Sequence, residues 1–309
     1  MVVVIIAIGY FVARKGWAGK TVTDFISNLI VNVTLPCTAV MAFLTSFTAE
    51  TLADSWVYIL ASFAAIGITW LAAKLVIQIA KIEKERRGVF TALFSFSNSV
   101  FIGLPVATAI FGEEALVFAL FYYVANTTFM NSLGFVEIAR DGMELSCGGK
   151  GVRFSAKEIL KKIFKPPMLA VIAGFVLVML NVRLPAFLSS ALTYVGNVTS
   201  PLALMFVGMI LQRTGLSCIK KFDRGISWAL VGRYAVSPLV MLGVTACMGL
   251  AAFPSEVLTI QMSLPAMVTT TIFAEISGAD TEFAARGVAV TTLLSFLTIP
   301  IYILLFTYL

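Results

Sequence analysis

No histidine occurs in the 309 residues, which removes the side chain most used as a metal ligand or as a proton shuttle near neutral pH. Charge is scarce as well: Asp, Glu, Lys and Arg make up 12% of the chain, against roughly a quarter in ordinary soluble domains. The four cysteines, Cys37, Cys147, Cys218 and Cys247, show no C-x-x-C spacing. Two fall in apolar runs and two between them, so a disulfide framework is not expected. No segment of about ten residues alternates apolar and polar side chains in the way a membrane β-barrel demands. Nor does an Asp or Glu fall at the middle of any long apolar run, where a carboxylate would bind a coupling cation. With no nucleophile paired to a base and no metal cluster, neither an enzyme nor a cofactor site is expected.

What the chain has in abundance is apolar surface. Sixty per cent of the residues are hydrophobic and the mean hydropathy is +0.98, so the reading is a polytopic all-α membrane protein. Runs near the roughly 20 residues needed to cross a bilayer predict ten spans, at 1–13, 25–47, 55–80, 89–111, 115–139, 167–182, 186–211, 226–252, 257–278 and 285–309. In the first, Arg14 and Lys15 follow the apolar stretch rather than precede it, unlike a signal peptide. Nineteen of the 22 basic residues fall after odd-numbered spans, and Arg183 alone sits in a loop after an even one. Because Lys and Arg are retained on the cytoplasmic side, both termini are expected outside, in a plasma (bacterial inner) membrane. The net charge of +6 is explained by this retention and by attraction to anionic lipid, so no nucleic acid is expected as a partner. The sequons at Asn32, Asn126 and Asn197 lie inside predicted spans and are read as intramembrane polar groups.

Two phrases recur. NVTLP at 32–36 returns as NVTSP at 197–201, and LPVATAIF at 104–111 is echoed by LPAMVTTTIF at 264–273. Each recurrence is five spans from its first occurrence, and duplicating an odd number of spans inverts the second copy in the bilayer. The organisation expected is therefore a first repeat at 1–139, a basic cytoplasmic linker at 140–166 and a second, inverted repeat at 167–309. Cys-Gly-Gly-Lys-Gly at 147–151 lacks the flanks of a phosphate-binding loop.

Inverted-repeat carriers place their sites at interrupted helices, where freed backbone groups bind a ligand in place of water. Span 4 collects Ser95, Ser97, Asn98 and Ser99 just before Gly103 and Pro105, weak helix formers meeting a residue without an amide hydrogen. Span 9 answers with Gln261, Ser263 and Pro265 followed by Thr269, Thr270 and Thr271. If the breaks cross, the half-helices after them aim positive N-terminal ends at one cavity suited to a small organic anion, with Asn98 as principal side-chain ligand. Ser97, Ser99, Gly103, Pro105, Gln261, Pro265, Thr269, Thr270, Thr271, Asn126 and Arg233 complete the candidate set. Lys74 is expected to snorkel toward the cytoplasm, and Arg233 either to snorkel or to balance substrate charge. Asn126, Thr127, Thr128 and Asn131 either line the cavity or bond across helices. Asn32 with Thr34, and Asn197 with Thr199, each precede a proline and are read as satisfying groups freed by a kink.

In IGYFVARKG at 8–16, NVTLP, NSVFIGLPVATAIFGEE at 98–114, PLALMFVGMIL at 201–211, QMSLPAMVTTTIFAE at 261–275 and LLSFLTIPIYILL at 293–305, the chain resembles the auxin efflux carrier family. That family includes bacterial malate and malonate permeases and the plant PIN-type carriers. The resemblance implies a bile acid/sodium symporter-like fold, with ten helices in two inverted sets of five and helices 4 and 9 crossing at prolines. It also implies a scaffold of helices 1, 2, 6 and 7, where a second copy would dock as a homodimer, and a transport domain of helices 3–5 and 8–10 moving as an elevator. The family's crossover Asn, Gly and Pro correspond to Asn98, Gly103 and Pro105, and its second crossover Pro to Pro265. PIN-type carriers have a further Pro where Thr270 stands and a long loop where this chain has only 140–166, which points toward a small carboxylate rather than auxin. The function expected is export of small organic anions down the inside-negative potential, worth about 2.3 kcal/mol per charge per 100 mV. A proton- or sodium-coupled carboxylate symporter is the alternative. An anion channel would require a continuous polar lining, which the scattered polar residues do not supply.

Overall fold

An apolar chain in lipid must satisfy its own backbone polar groups, and a helix does so within one segment. The structure is a computed structural model and describes residues 2–53, 55–145, 163–214 and 223–308. Cys147, Cys218, Lys220, Lys221 and the expected linker between 146 and 162 lie outside the described residues. Among the described residues there is no strand, only an isolated two-residue bridge. In chain order the helices are α1 Val2–Arg14, α2 Lys20–Ser46, α3 Trp56–Ala80, α4 Arg87–Ser95, α5 Ser99–Phe111 and α6 Ala115–Leu145. They continue as α7 Pro166–Met179, α8 Ala186–Arg213, α9 Arg224–Cys247, α10 Ala252–Met262, α11 Thr269–Ser277 and α12 Thr281–Tyr308. Of these α2, α3, α6, α8, α9 and α12 are long and apolar enough to cross a membrane.

Two predicted spans are not single rods. Span 4 is α4 and α5 separated at Phe96–Asn98, and span 9 is α10 and α11 separated at Ser263–Val268. The break in span 4 therefore falls well before Pro105, not at it. A π-helical turn over Ser99–Gly103 absorbs that proline, and the same device, Ile30–Thr34 and Gly232–Val236, precedes Pro36 in α2 and Pro238 in α9. The wider turn gives room for the ring and for the missing amide bond, so these helices continue. At its far end α6 runs to Leu145, past its expected end at 139, because Ile138, Ala139, Asp141 and Gly142 are buried on one face of an amphipathic turn.

The chain divides into two compact units. The first comprises Met1–Leu60, Val100–Val124 and Phe164–Arg213. Here α7 packs along α2, with Gly174 lying against the fully buried Phe43. Phe43 meets Phe121 edge-on at 5.8 Å. Helices α1 and α8 approach backbone to backbone: a methyl at Gly208 would come within 2.0 Å of the Ile6 carbonyl oxygen, and one at Gly9 within 2.1 Å of that of Met205. Small residues permit such packing where the surrounding lipid offers no hydrophobic drive. The two copies of the repeated phrase also meet here. In each the Thr is buried, Thr34 and Thr199, while the Asn and Val are exposed. Thr38, two residues beyond Pro36, places its hydroxyl 2.8 Å from that of Thr199 and 2.9 Å from the Gly196 carbonyl. Asn32 donates to the Asn28 carbonyl at 2.9 Å.

The second unit comprises Ala61–Ser99, Ala125–Ile163 and Thr214–Leu309. Its centre is α4, buried at every position from Gly88 to Ser95 and surrounded by α6, α9, α11 and α12.

Candidate functional site

The two breaks lie side by side in the second unit. Extended residues Ser97 and Ala266 form an antiparallel bridge: the Asn98 amide donates to the Pro265 carbonyl at 2.8 Å, and the Met267 amide to the Phe96 carbonyl at 3.1 Å. The outer edges of this short ribbon are closed by side chains. Asn126 of α6 acts as a substitute strand, accepting from the Ser97 amide at 3.2 Å and donating to the Ser97 carbonyl at 2.8 Å. On the other edge the Thr291 hydroxyl of α12 accepts from the Ala266 amide at 3.1 Å. Such pairing lets an irregular backbone exist among apolar helices, where each unpaired polar group is costly.

The helix leading into the crossing is matched by charge at both ends. At its start, Asp141 accepts from the Gly88 and Val89 amides, both at 2.8 Å, a capping carboxylate delivered from α6. At its finish, Arg233 of α9, with no exposed surface, donates to the Ser95 carbonyl at 3.1 Å and to the Ser237 hydroxyl at 2.9 Å, and the one Ser237 proton is shared between the Gly232 carbonyl at 2.8 Å and the Phe94 carbonyl at 3.2 Å. Arg233, expected either to snorkel or to balance substrate charge, is instead bonded to the end of α4, and Lys74, a third exposed, has partners of its own. Lys74 turns inward to an ion pair with Glu137 at 2.5 Å, a 3.2 Å bond to Thr91 and a seat 5.1 Å from the Trp70 ring. Trp70 in turn donates to Glu137 at 3.1 Å.

Of the predicted site residues, Ser97, Asn98, Ser99, Gln261, Pro265 and Thr270 are all buried at or beside the crossing, and Thr269 and Thr271 are half-buried at the start of α11. Gly103 and Pro105 fall in α5, in the first unit. Asn126 was expected to line a cavity or bond between helices, and it does the second, holding the break. Sequence reasoning passed over Thr291, Ser237 and Asp141. Asp141 stood in the expected linker, and Thr291 and Ser237 look like ordinary helix-interior hydroxyls until the fold shows which backbone they face. Three buried hydroxyl oxygens in this unit, those of Ser95, Thr127 and Thr270, have no hydrogen-bond partner among the described residues. Hydroxyls in membrane helices normally bond the preceding turn, and these do not.

A separate cavity of about 210 Å3 in the same unit is lined by Lys81, Glu83, Arg86, Asp223, Arg224 and Phe283. Arg86 bonds Asp280 at 2.7 Å. Burial weakens the Arg86 charge, but the bond and the field of Asp280 outweigh it and hold its pKa above the ordinary arginine value.

The sequence model of a family described as "Membrane transport protein" matches residues 1–303. Among curated relatives, an "uncharacterized transporter" of Methanocaldococcus jannaschii is 25% identical over 98% of this chain and 96% of its own length. A second "uncharacterized transporter", from Methanothermobacter thermautotrophicus, is 24% identical over 97% and 95%. Matched along almost its whole length, the chain belongs to the membrane transport protein family, the auxin efflux carrier family that its motifs resemble.

Proposed function

We propose that this transporter is a secondary carrier that exports small organic anions, carboxylates of the malate or malonate kind, from the crossing of its two broken helices. The observation that carries the reading is the bridge at Ser97 and Ala266, an extended backbone amid apolar helices, with unpartnered buried hydroxyls beside it. Helices α5 and α11 begin at Ser99 and Thr269, directly after the breaks. Each N-terminal end carries roughly half a positive charge, which suits a carboxylate. In this reading Asn98, Gln261 and Thr270, with Ser97, Ser99, Thr269 and Thr271, receive the anion, while Pro265 keeps the second break open and Gly103 and Pro105 shape the start of α5. Asn126 and Arg233 hold the crossing in form.

The ten-span inverted repeat belongs to the same proposal. Spans 4 and 9, five spans apart, are both broken, which is a correspondence a duplicated five-span unit requires. On this plan spans 1, 2, 6 and 7 form a scaffold that pairs with a second copy, the remaining spans carry the anion as an elevator, and both termini face outward. Transport of labelled malate by proteoliposomes tests the site. Asn98→Ala is expected to lower its rate or affinity at least tenfold, and an unchanged rate and affinity would remove Asn98 from the site.

One observation favours proton coupling as a second reading: Asp141 is a carboxylate only 3% exposed. It lies at the start of α4, whereas the crossing lies at that helix's other end. Loss of transport on collapsing the proton gradient at clamped voltage would favour coupling over uniport.

A further inference from the structure

We infer that the guanidinium of Arg233 stands where carriers with broken helices bind a coupling cation, so that this carrier works with a cation built into its own chain. The inference deepens the proposal above and rests on its reading of the crossing.

The end of α4 is short of donors for an identifiable reason. In an uninterrupted helix the Phe94 carbonyl would accept from the Asn98 amide and the Ser95 carbonyl from the Ser99 amide. Here the Asn98 amide goes instead to Pro265 and the Ser99 amide to the Ser97 carbonyl at 2.9 Å. Two carbonyls are thereby released at the negative end of a helix, buried and pointed at the crossing. Unwound carbonyls and half-helix C-terminal ends of this kind are where sodium or a proton is held in carriers of discontinuous helices.

Arg233 and Ser237 occupy that position: the guanidinium donates to the Ser95 carbonyl, and the Ser237 hydroxyl lies 3.2 Å from the Phe94 carbonyl while also meeting the Gly232 carbonyl of its own helix at 2.8 Å. Both come from the π-turn of α9 and the residue that follows it, so the device that accommodates Pro238 also sets the two side chains against α4. A methyl at Gly232 would come within 2.1 Å of the Phe94 ring, so the closeness of α9 to this end depends on a glycine. Arginine suits the task better than lysine, because its planar fork reaches several acceptors at once and keeps its charge when buried. The opposite end of α4 carries the complementary anion, Asp141. A helix of nine residues so balanced has no call for a mobile cation.

The test needs no substrate, so it is independent of whether the crossing moves malate. Purified protein in detergent is unfolded by heat in sodium, potassium, methylguanidinium or choline chloride at matched ionic strength. Wild type is expected to melt at one temperature in all four. Arg233→Ala is expected to melt several degrees lower in choline and to recover part of that loss in sodium or methylguanidinium, which refill the vacated position. Stabilisation of wild type by sodium alone overturns the inference, as does a folded Arg233→Ala that responds to none of the cations. If Arg233→Ala does not fold, Arg233→Lys decides: it is expected to fold and to ignore sodium, and sodium-specific stabilisation of it overturns the inference. Inactivity toward malate in proteoliposomes with an unaltered cation pattern would count against the carrier reading only.

Discussion

Asn126 shows how one side chain can set a fold that its own residue type does not announce. Its amide pairs with the amide and carbonyl of Ser97 as a neighbouring strand would. Asn126→Ala leaves both buried groups unpaired, at about 1–3 kcal/mol for each, and thermal unfolding should show a clear fall in midpoint. Thr270 behaves oppositely, because its buried hydroxyl has no partner among the described residues. Thr270→Val keeps the shape and removes the unsatisfied oxygen, so its melting temperature should be equal to or above that of wild type while its KM for malate rises several-fold. A fall in stability with unchanged KM would assign the hydroxyl to packing. At this scale the sequence shows Thr270 and Asn98 as polar residues out of place in an apolar run. It does not show which of two intramembrane asparagines holds backbone and which stands beside it, because both have the same chemistry and only the neighbours differ.

Among the elements, α4 is the one on which the crossing depends. Every residue from Gly88 to Ser95 is buried, and each end is held by a charge from another helix. Asp141→Asn removes the anion and one of two good acceptors, so a loss of about 1 kcal/mol is expected, with faster hydrogen exchange at the Gly88 and Val89 amides than elsewhere in α4. Uniform exchange across α4 would mean that the cap does not hold its start. In the first unit, Gly208→Ala drives a methyl into the Ile6 carbonyl, and separation of α1 from α8 should cost about 1–3 kcal/mol in thermal unfolding. The breaks in spans 4 and 9 were legible as places where weak helix formers meet proline. Their registers were not, because a π-turn can carry a helix past a proline, and whether it does depends on what packs around it. Pro105 is passed in this way, whereas Pro265 lies inside a break.

For the whole molecule, the charge pattern predicts sidedness. In a variant without native cysteines, Glu50→Cys should react with a membrane-impermeant maleimide on intact cells, and Lys84→Cys only after permeabilisation; the reverse would invert the topology. Malate efflux from proteoliposomes should persist without sodium and rise with an inside-negative potential, by up to about 50-fold in equilibrium ratio per charge per 100 mV. By itself the sequence determined the class of the protein, the presence of several apolar spans, which two of its stretches are interrupted and its family, since these follow from local hydropathy, helix propensity and short motifs. Only the tertiary structure decided that Ser97 pairs with Ala266, that Lys74 pairs with Glu137, and that Asp141 and Arg233 close the two ends of α4. Those outcomes depend on which groups from distant parts of the chain come within hydrogen-bonding distance, and in an apolar interior each buried polar group is driven to the partner that folding brings nearest.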